Sequence, residues 1–250
     1  MRSLAAAALL ACSVATLGGC AYNETLGRSQ LLLVDNSALT QQSEAAWAEA
    51  LRTQRVSTDA AANARIRRVG DKIVQAAGLT DRPWDYALFV STSPNAFVLP
   101  SGKIGVTTGL LALVQNDDQL ATVLGHEVGH VVAQHAAERY SNSAATSMVL
   151  SGVQGVAGDY ARAAGAIGGL GAQLGVLLPF SRRDELEADR LGVDYLQRAG
   201  YRPSQAVALW RLMAAQQQGQ GSVPQFASTH PSDTTRIAAL EQYIASRGWS

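Results

Sequence analysis

From Ser43 the hydrophobic pattern along the chain has the period of a helix. Ala45, Ala46, Ala48, Ala50 and Leu51 are strong helix formers, and Ile66, Val69, Ile73 and Val74 recur at helical spacing until Gly78 ends the run. Ser57, Thr58 and Asp59 supply capping residues in between, so the pattern predicts one helix stopping there and another beginning. After Pro83 the period changes. The stretch "WDYALFVSTS" is dense in aromatic and apolar residues and stops at "SPN", as a short buried strand does. Two further extended runs, Ala96 to Leu99 and Lys103 to Thr107, are joined through Pro100, Ser101 and Gly102, which is turn chemistry and predicts a hairpin. Helical spacing then returns from a cap at Asn116 to Tyr140, again after Ser181, and twice more after Pro203 and Ser232. The expected fold is mainly α with a small β-sheet, an α+β class.

Two stretches need a separate reading. Residues 151–180 are rich in Gly and Ala and apolar enough to suggest a membrane span, but Asp159, Arg162 and Gln173 interrupt them. Each glycine also weakens an isolated helix by about 1 kcal/mol relative to alanine, so a closely packed or mobile segment beside the functional site is expected instead. At the N-terminus, Arg2 precedes an apolar run from Leu4 to Thr16, shorter than the ~20 residues that span a bilayer. The run ends in Leu17, Gly18, Gly19 and Cys20, so residues 1–19 read as a secretory leader and 20–42 as a tether. Within the tether the apolar patch Leu31 to Val34 is able to dock on the domain. Removing the leader removes Cys12 and leaves Cys20 alone, which excludes an internal disulfide. "LGGC" resembles the lipobox of bacterial lipoproteins, and that resemblance implies acylation of Cys20 and a periplasm-facing membrane anchor. Ala21, where Asp would favour retention, points by the same analogy to the outer membrane.

Composition narrows the picture further. With 250 residues, 47% of them hydrophobic, the chain can bury one globular core, assigned here to residues 43–250. Lys plus Arg and Asp plus Glu both total 20, so no basic field invites nucleic acid and none draws the protein broadly to acidic membranes. Any membrane contact must come from a local feature, which by the lipobox resemblance is the anchor at Cys20.

The candidate chemistry is concentrated in "LGHEVGHVVAQH", residues 124–135, which holds three of the four histidines. On a helix His126 and His130 stand four positions apart, so both rings reach one ion, and zinc suits imidazole nitrogen at about 2.0–2.1 Å. Glu127 is turned about 100° from His126, which makes it a flanking general base and not a ligand. His135 falls about 180° round from His126 if the helix continues, and Ala136 stands where a longer zinc motif has its third histidine. His135 is therefore expected on the opposite face, as a surface or packing histidine. The third ligand is sought in "SRRDELEADRLGVDYL", residues 181–196, which opens with Ser181 and Asp184 in capping-box spacing. Glu185 and Asp189 share a helical face; one can ligate zinc while the other holds a ligand histidine through its second ring nitrogen. Glu187, about 160° from Glu185, is expected to meet solvent or an arginine such as Arg183 or Arg190.

"HEVGH" followed by "SRRDELEAD" resembles the HtpX, Oma and CAAX-prenyl-protease family of zinc metallopeptidases, metallopeptidase family forty-eight, whose second motif reads E-x-x-A-D. The "NAFVLPSGKIGVTTGLL" hairpin and the "STHPSDTTRIAAL" segment extend the likeness to roughly residues 43–240. The resemblance implies a zincin-like domain in which His126, His130 and Glu185 bind one Zn2+, Glu127 is the general base and Asp189 supports a ligand. It also brings His230 to the metal, either as a donor to the tetrahedral intermediate or in the open coordination position. Arg236 is able to stabilise developing negative charge or to serve in structural pairing. Without the membrane-spanning helices of the HtpX and prenyl-protease branches, the chain looks closer to the soluble, periplasmic lipoprotein branch. The implied activity is endoproteolysis of unfolded or misassembled cell-envelope proteins, the substrate adding as a strand to the 96–107 hairpin. The competing expectation is a chaperone or assembly factor that holds such clients in the same groove without cutting them.

Overall fold

The structure is a computed structural model that describes residues 19–33, 36–154, 180–219, 225–230 and 234–249. The expected leader up to residue 18, and residues 155–179 of the Gly- and Ala-rich stretch, lie outside the described residues.

Three strands form the sheet beside the site: β3 (Asp85–Phe89), β4 (Ala96–Leu99) and β5 (Lys103–Thr107). The hairpin has the bounds its turn chemistry predicts. β5 is central, parallel to β3 and antiparallel to β4, and buried throughout. On the outer edge of β3, Ser57 donates to the Leu88 carbonyl and Val90 to that of Arg55. The outer edge of β4 faces a cleft. The Asn95 and Leu99 carbonyls accept from Thr107 and Gly102. By strand alternation, the peptide groups of Ala96 and Val98 then turn outward.

Against this sheet pack α1 (Asn36–Thr53), α2 (Ala60–Ala76), α3 (Thr108–Leu113) and α4 (Asp117–Val132). Asp59 caps α2 by accepting from the Ala62 N–H, and Asn116 caps α4 by accepting from Gln119, as the sequence pattern predicts. α4 is buried from Gln119 to His130, walled by Ile66, Val69 and Ile73 of α2 and by Ile104 and Val106 of β5. Each such side chain contributes roughly 1.5–3 kcal/mol when buried, which makes α4 a rigid carrier for what it displays. The remaining helices are α5 (His135–Gln154), α6 (Arg182–Arg198), α7 (Ser204–Gly219), α8 (Gln225–Thr229) and α9 (Thr234–Ser246). α6 begins with the expected capping box between Ser181 and Asp184. It lies so close to α4 that a Cβ on Gly129 would come 2.9 Å from the Ala188 carbonyl, and one on Gly192 would come 2.9 Å from the His126 nitrogen. Small residues at these crossings set the distance between the helices. Among the described residues, no helix is long and apolar enough to cross a membrane.

Two segments differ from expectation. The helix expected to run to Tyr140 stops at Val132: Gln134 adopts φ 55, and α5 starts afresh at His135. The break has no Gly or Pro to announce it. The Gln30 side-chain amide donates to the Ala133 carbonyl at 2.8 Å, satisfying a helix-end acceptor from far away in the chain. Gln30 belongs to the second difference. The expected tether is folded, with β1 (Cys20–Asn23) antiparallel to β2 (Arg28–Leu31), and α1 begins at Asn36 and not near Ser43. Polar contacts help dock this hairpin: of the expected apolar patch, Leu31 and Leu32 are partly buried, Leu33 is 43% exposed while its N–H bonds Ser141 Oγ at 2.7 Å, and Val34 lies outside the described residues.

Candidate metal centre

The α4–α6 crossing faces two helices' worth of polar side chains into a space closed by α8 and α9. α4 contributes His126, His130 and Glu127, α6 contributes Glu185 and Asp189, the end of α8 leads into His230, and α9 carries Arg236. All seven are buried. His126 Nε2 lies 3.1 Å from His130 Nε2 and 3.2 Å from His230 Nδ1. Glu185 completes the group, its Oε2 3.4 Å from His126 Nε2 and its Oε1 3.4 Å from His130 Nε2 and 2.9 Å from His230 Nδ1. Ligand atoms of His126, His130, Glu185 and His230 all lie within 4.8 Å of one another.

This donor set fits a divalent cation. Tetrahedral zinc with ligands at 2.0–2.1 Å has ligand-to-ligand edges of about 3.3–3.4 Å, close to the spacings here. Glu185 Oε2 is buried without a directed hydrogen bond, though it stands at ion-pair distance from Arg236 Nη1. Facing imidazole nitrogens beside such an oxygen leave converging lone pairs that a cation satisfies better than the side chains satisfy one another.

Glu127 stands apart from these four atoms as a flanking group. Its Oε1 lies 3.2 Å from His230 Nε2 but off a hydrogen-bond direction, and the carboxylate accepts from the Val98 backbone. Burial pushes its carboxyl up to about 7, with Glu185 adding to the effect and His230, Arg236 and Val98 opposing it. Burial would also raise Glu185, but Arg236, His230 and His126 hold it well below the usual carboxylate range. Burial depresses His130, whereas at His126 the attraction of Glu185 and Asp189 outweighs burial and raises the ring.

Behind His126 stands Asp189, its Oδ1 3.0 Å from Nδ1. Arg236 grips Asp189 through Nε at 2.5 Å and Nη2 at 2.8 Å and lies 4.3 Å over the Trp210 ring. Of the two expectations for Arg236, the geometry matches structural pairing.

Behind His130 the arrangement corrects two expectations. His135 is not on the far face of α4. The turn at Gln134 swings it back, fully buried, with Nδ1 2.9 Å from His130 Nδ1. Glu187 meets neither solvent alone nor Arg183 or Arg190. Its Oε2 contacts His135 Nε2 at 3.0 Å, and Arg28 of β2 grips both its oxygens at 2.7 Å. Burial would raise Glu187, but His135 and Arg28 hold it at about 2. Arg183 pairs with Glu138 instead, and Arg190 lies over Tyr243.

A cleft leads to the centre along the open edge of β4, lined by Leu39, Val98, Leu99, Val131, Ala136 and Phe180. Phe180 stacks on His130 at 4.0 Å and on His230 at 5.3 Å, with Arg139 over its ring. Cys20 is exposed, at the start of the N-terminal hairpin. Sequence reasoning missed Arg28, Gln30, Phe180 and the supporting place of His135. Nothing local marks the first three. The small residues Gly125, Gly129, Ala188 and Gly192, spaced in fours on the two helices, were a readable sign of close packing.

Comparison with known proteins finds a family and relatives for this chain. The model of Peptidase family M48 matches residues 60–244. Mitochondrial metalloendopeptidase OMA1 of Schizosaccharomyces pombe is 36% identical over 179 residues, covering 72% of this chain and 52% of the relative. Mitochondrial metalloendopeptidase OMA1 of Bos taurus is 30% identical over 233 residues, 87% of this chain and 45% of the relative. Beta-barrel assembly-enhancing protease of Yersinia pestis is 30% identical over 180 residues, 69% of this chain and 37% of the relative. The chain thus spans about half the length of these relatives, or less.

Proposed function

The chain belongs to peptidase family M48, and from that premise we propose that it is a membrane-anchored zinc metalloendopeptidase acting on unfolded or misassembled proteins of the bacterial cell envelope. One observation carries this reading: four buried ligand atoms converge, with the Glu127 carboxyl beside them and outside the set. His126, His130 and Glu185 would hold one Zn2+. When bound there, zinc supplies Lewis-acid polarisation of a carbonyl and a water acidified toward ~7.

The protein's own groups do the rest. Glu127, its carboxyl pushed to about 7 by burial, takes a proton from the attacking water and returns it to the leaving amine. Asp189 keeps His126 in one tautomer, with Nε2 toward the centre. His230 turns Nδ1 to the cluster and Nε2 toward Glu127. Either Nδ1 would join the residues that hold the cation, or an N–H of the ring would donate to the negative charge that develops on a substrate carbonyl oxygen. An extended substrate pairs with the outward peptide groups of β4, those of Ala96 and the carbonyl of Val98, whose N–H is held by Glu127, and lays its side chains against the apolar cleft. Main-chain pairing reads little sequence, which suits unfolded clients. Acylation of the exposed Cys20 would hold the enzyme to the membrane, periplasm-facing and on the outer membrane by the lipobox likeness.

The test is Glu127→Gln. It is expected to retain one zinc per chain and to lose casein cleavage by 10²–10⁴-fold; a variant that still cleaves defeats the mechanism. A second reading, a chaperone or assembly factor that holds clients without cutting, draws on the closeness of His230 Nδ1 to Glu185 and His126, since a ring held there would stand where a substrate carbonyl has to approach. That reading prevails if the zinc-loaded wild type suppresses client aggregation and cleaves nothing.

A further inference from the structure

The residues that follow Cys20 reach the back of the metal centre. Since His130 presents Nε2 to the cluster, its Nδ1 carries the proton and needs an acceptor. Among the described residues, the side chain that meets Nδ1 is that of His135, at 2.9 Å. For His135 Nδ1 to accept, its Nε2 must carry the other proton, and that nitrogen points at Glu187 Oε2 at 3.0 Å. Glu187 is in turn fixed by two donors of Arg28 at 2.7 Å, and Arg28 is braced on its other side by Glu138 at 2.8 Å. Only one direction of donation satisfies every group in this chain of contacts. His135 is 0% exposed, so solvent does not compete for either nitrogen.

We propose that His135, held by Glu187 and the N-terminal Arg28, is a positioning residue that orients His130 for metal binding, which makes the segment after Cys20 a working part of the centre. This inference rests on the reading of His130 as a zinc ligand. His135, Asp184 and Glu187 also form a group with metal-ligand spacing, but Arg28 already supplies the positive charge among those carboxylates. The group therefore acts as a support and not as a second metal site. The relay has the logic of a carboxylate–histidine–metal triad lengthened by one imidazole.

Zinc affinity of the full chain, measured by competition with a chromophoric chelator, tests it, with melting of the metal-free protein as the control for folding. His135→Leu is expected to bind zinc 10–100-fold more weakly, the range found when such outer partners are removed. His135→Gln, whose amide can accept from His130 and donate to Glu187, is expected to recover most of that loss. Arg28→Ala should weaken binding in the same direction by less, and adding it to His135→Leu should weaken binding no further, since both act along one path. Wild-type affinity in His135→Leu, failure of His135→Gln to rescue, or full additivity of the two substitutions overturns the proposal while leaving the metal reading intact. A wild-type protein that takes up no zinc overturns both.

Discussion

The two histidines of α4 are held from behind in different ways. His126 reaches its support in one step, to Asp189, and both Asp189 and its partner Arg236 are sealed in the core between α6, α9 and Trp210. His130 reaches its support in two, through His135 and Glu187 to Arg28, at a half-buried seam between α5, α6 and the N-terminal hairpin. The first is a compact clamp with high stakes, because removing one member strands a charge where nothing else can solvate it. The second is longer and partly wet, so each of its contacts is worth less, but it joins the centre to a segment outside the helical core. One ligand is thus secured by burial and the other by connection.

Arg236→Leu should break this contrast most sharply. It leaves Asp189 and Glu185 buried without their guanidinium partner, and such losses cost ~3–5 kcal/mol, to be read by urea unfolding of the metal-free protein. An equal loss in Arg28→Ala would abolish the distinction between the two arms. A smaller effect is expected from Gly192→Ala, whose methyl would meet the His126 backbone nitrogen at 2.9 Å. Forcing the α4–α6 crossing apart should cost ~1–3 kcal/mol and weaken zinc binding through both histidines at once.

The hairpin arm should show itself in pH dependence. Glu187 is held at about 2 against an ordinary 4.5, so its contacts stabilise the fold fully above the ordinary value and lose that contribution as pH falls toward about 2. The melting difference between wild type and Glu187→Gln should therefore be largest above pH 4.5 and close near pH 2; a difference constant across that window would contradict the assignment. The smallest effect is that of salt. Arg28 is 18% exposed in its side chain and Arg236 only 1%. Raising ionic strength should narrow the stability gap between wild type and Arg28→Ala while leaving that for Arg236→Leu nearly unchanged.

Several parts of this architecture could be read directly from residue order. The hairpin of β4 and β5 follows from two β-rich runs around Pro100, Ser101 and Gly102, and the caps at Asp59, Asn116 and Ser181 follow from side chains that satisfy nearby N–H groups. His126 with His130, and Glu185 with Asp189, were legible as pairs because four residues make about one helical turn whatever surrounds the helix. Each of these features is local. Its geometry is set within a few residues by backbone period and hydrogen bonding.

Other features depend on contacts between distant residues. His135 lies where no extrapolation of the helix would put it, because Gln30 of β2 satisfies the Ala133 carbonyl at the point where the backbone turns at Gln134. Glu187 found Arg28 in place of the arginines nearest to it in the chain, since folding of the N-terminal hairpin brought in a guanidinium able to contact Glu138 and Glu187 together. Residue order carries helical periods and the choice of ligands. The distance between two helices and the partner that a buried charge finds are set only when separate segments are packed and every buried polar group must be satisfied at once.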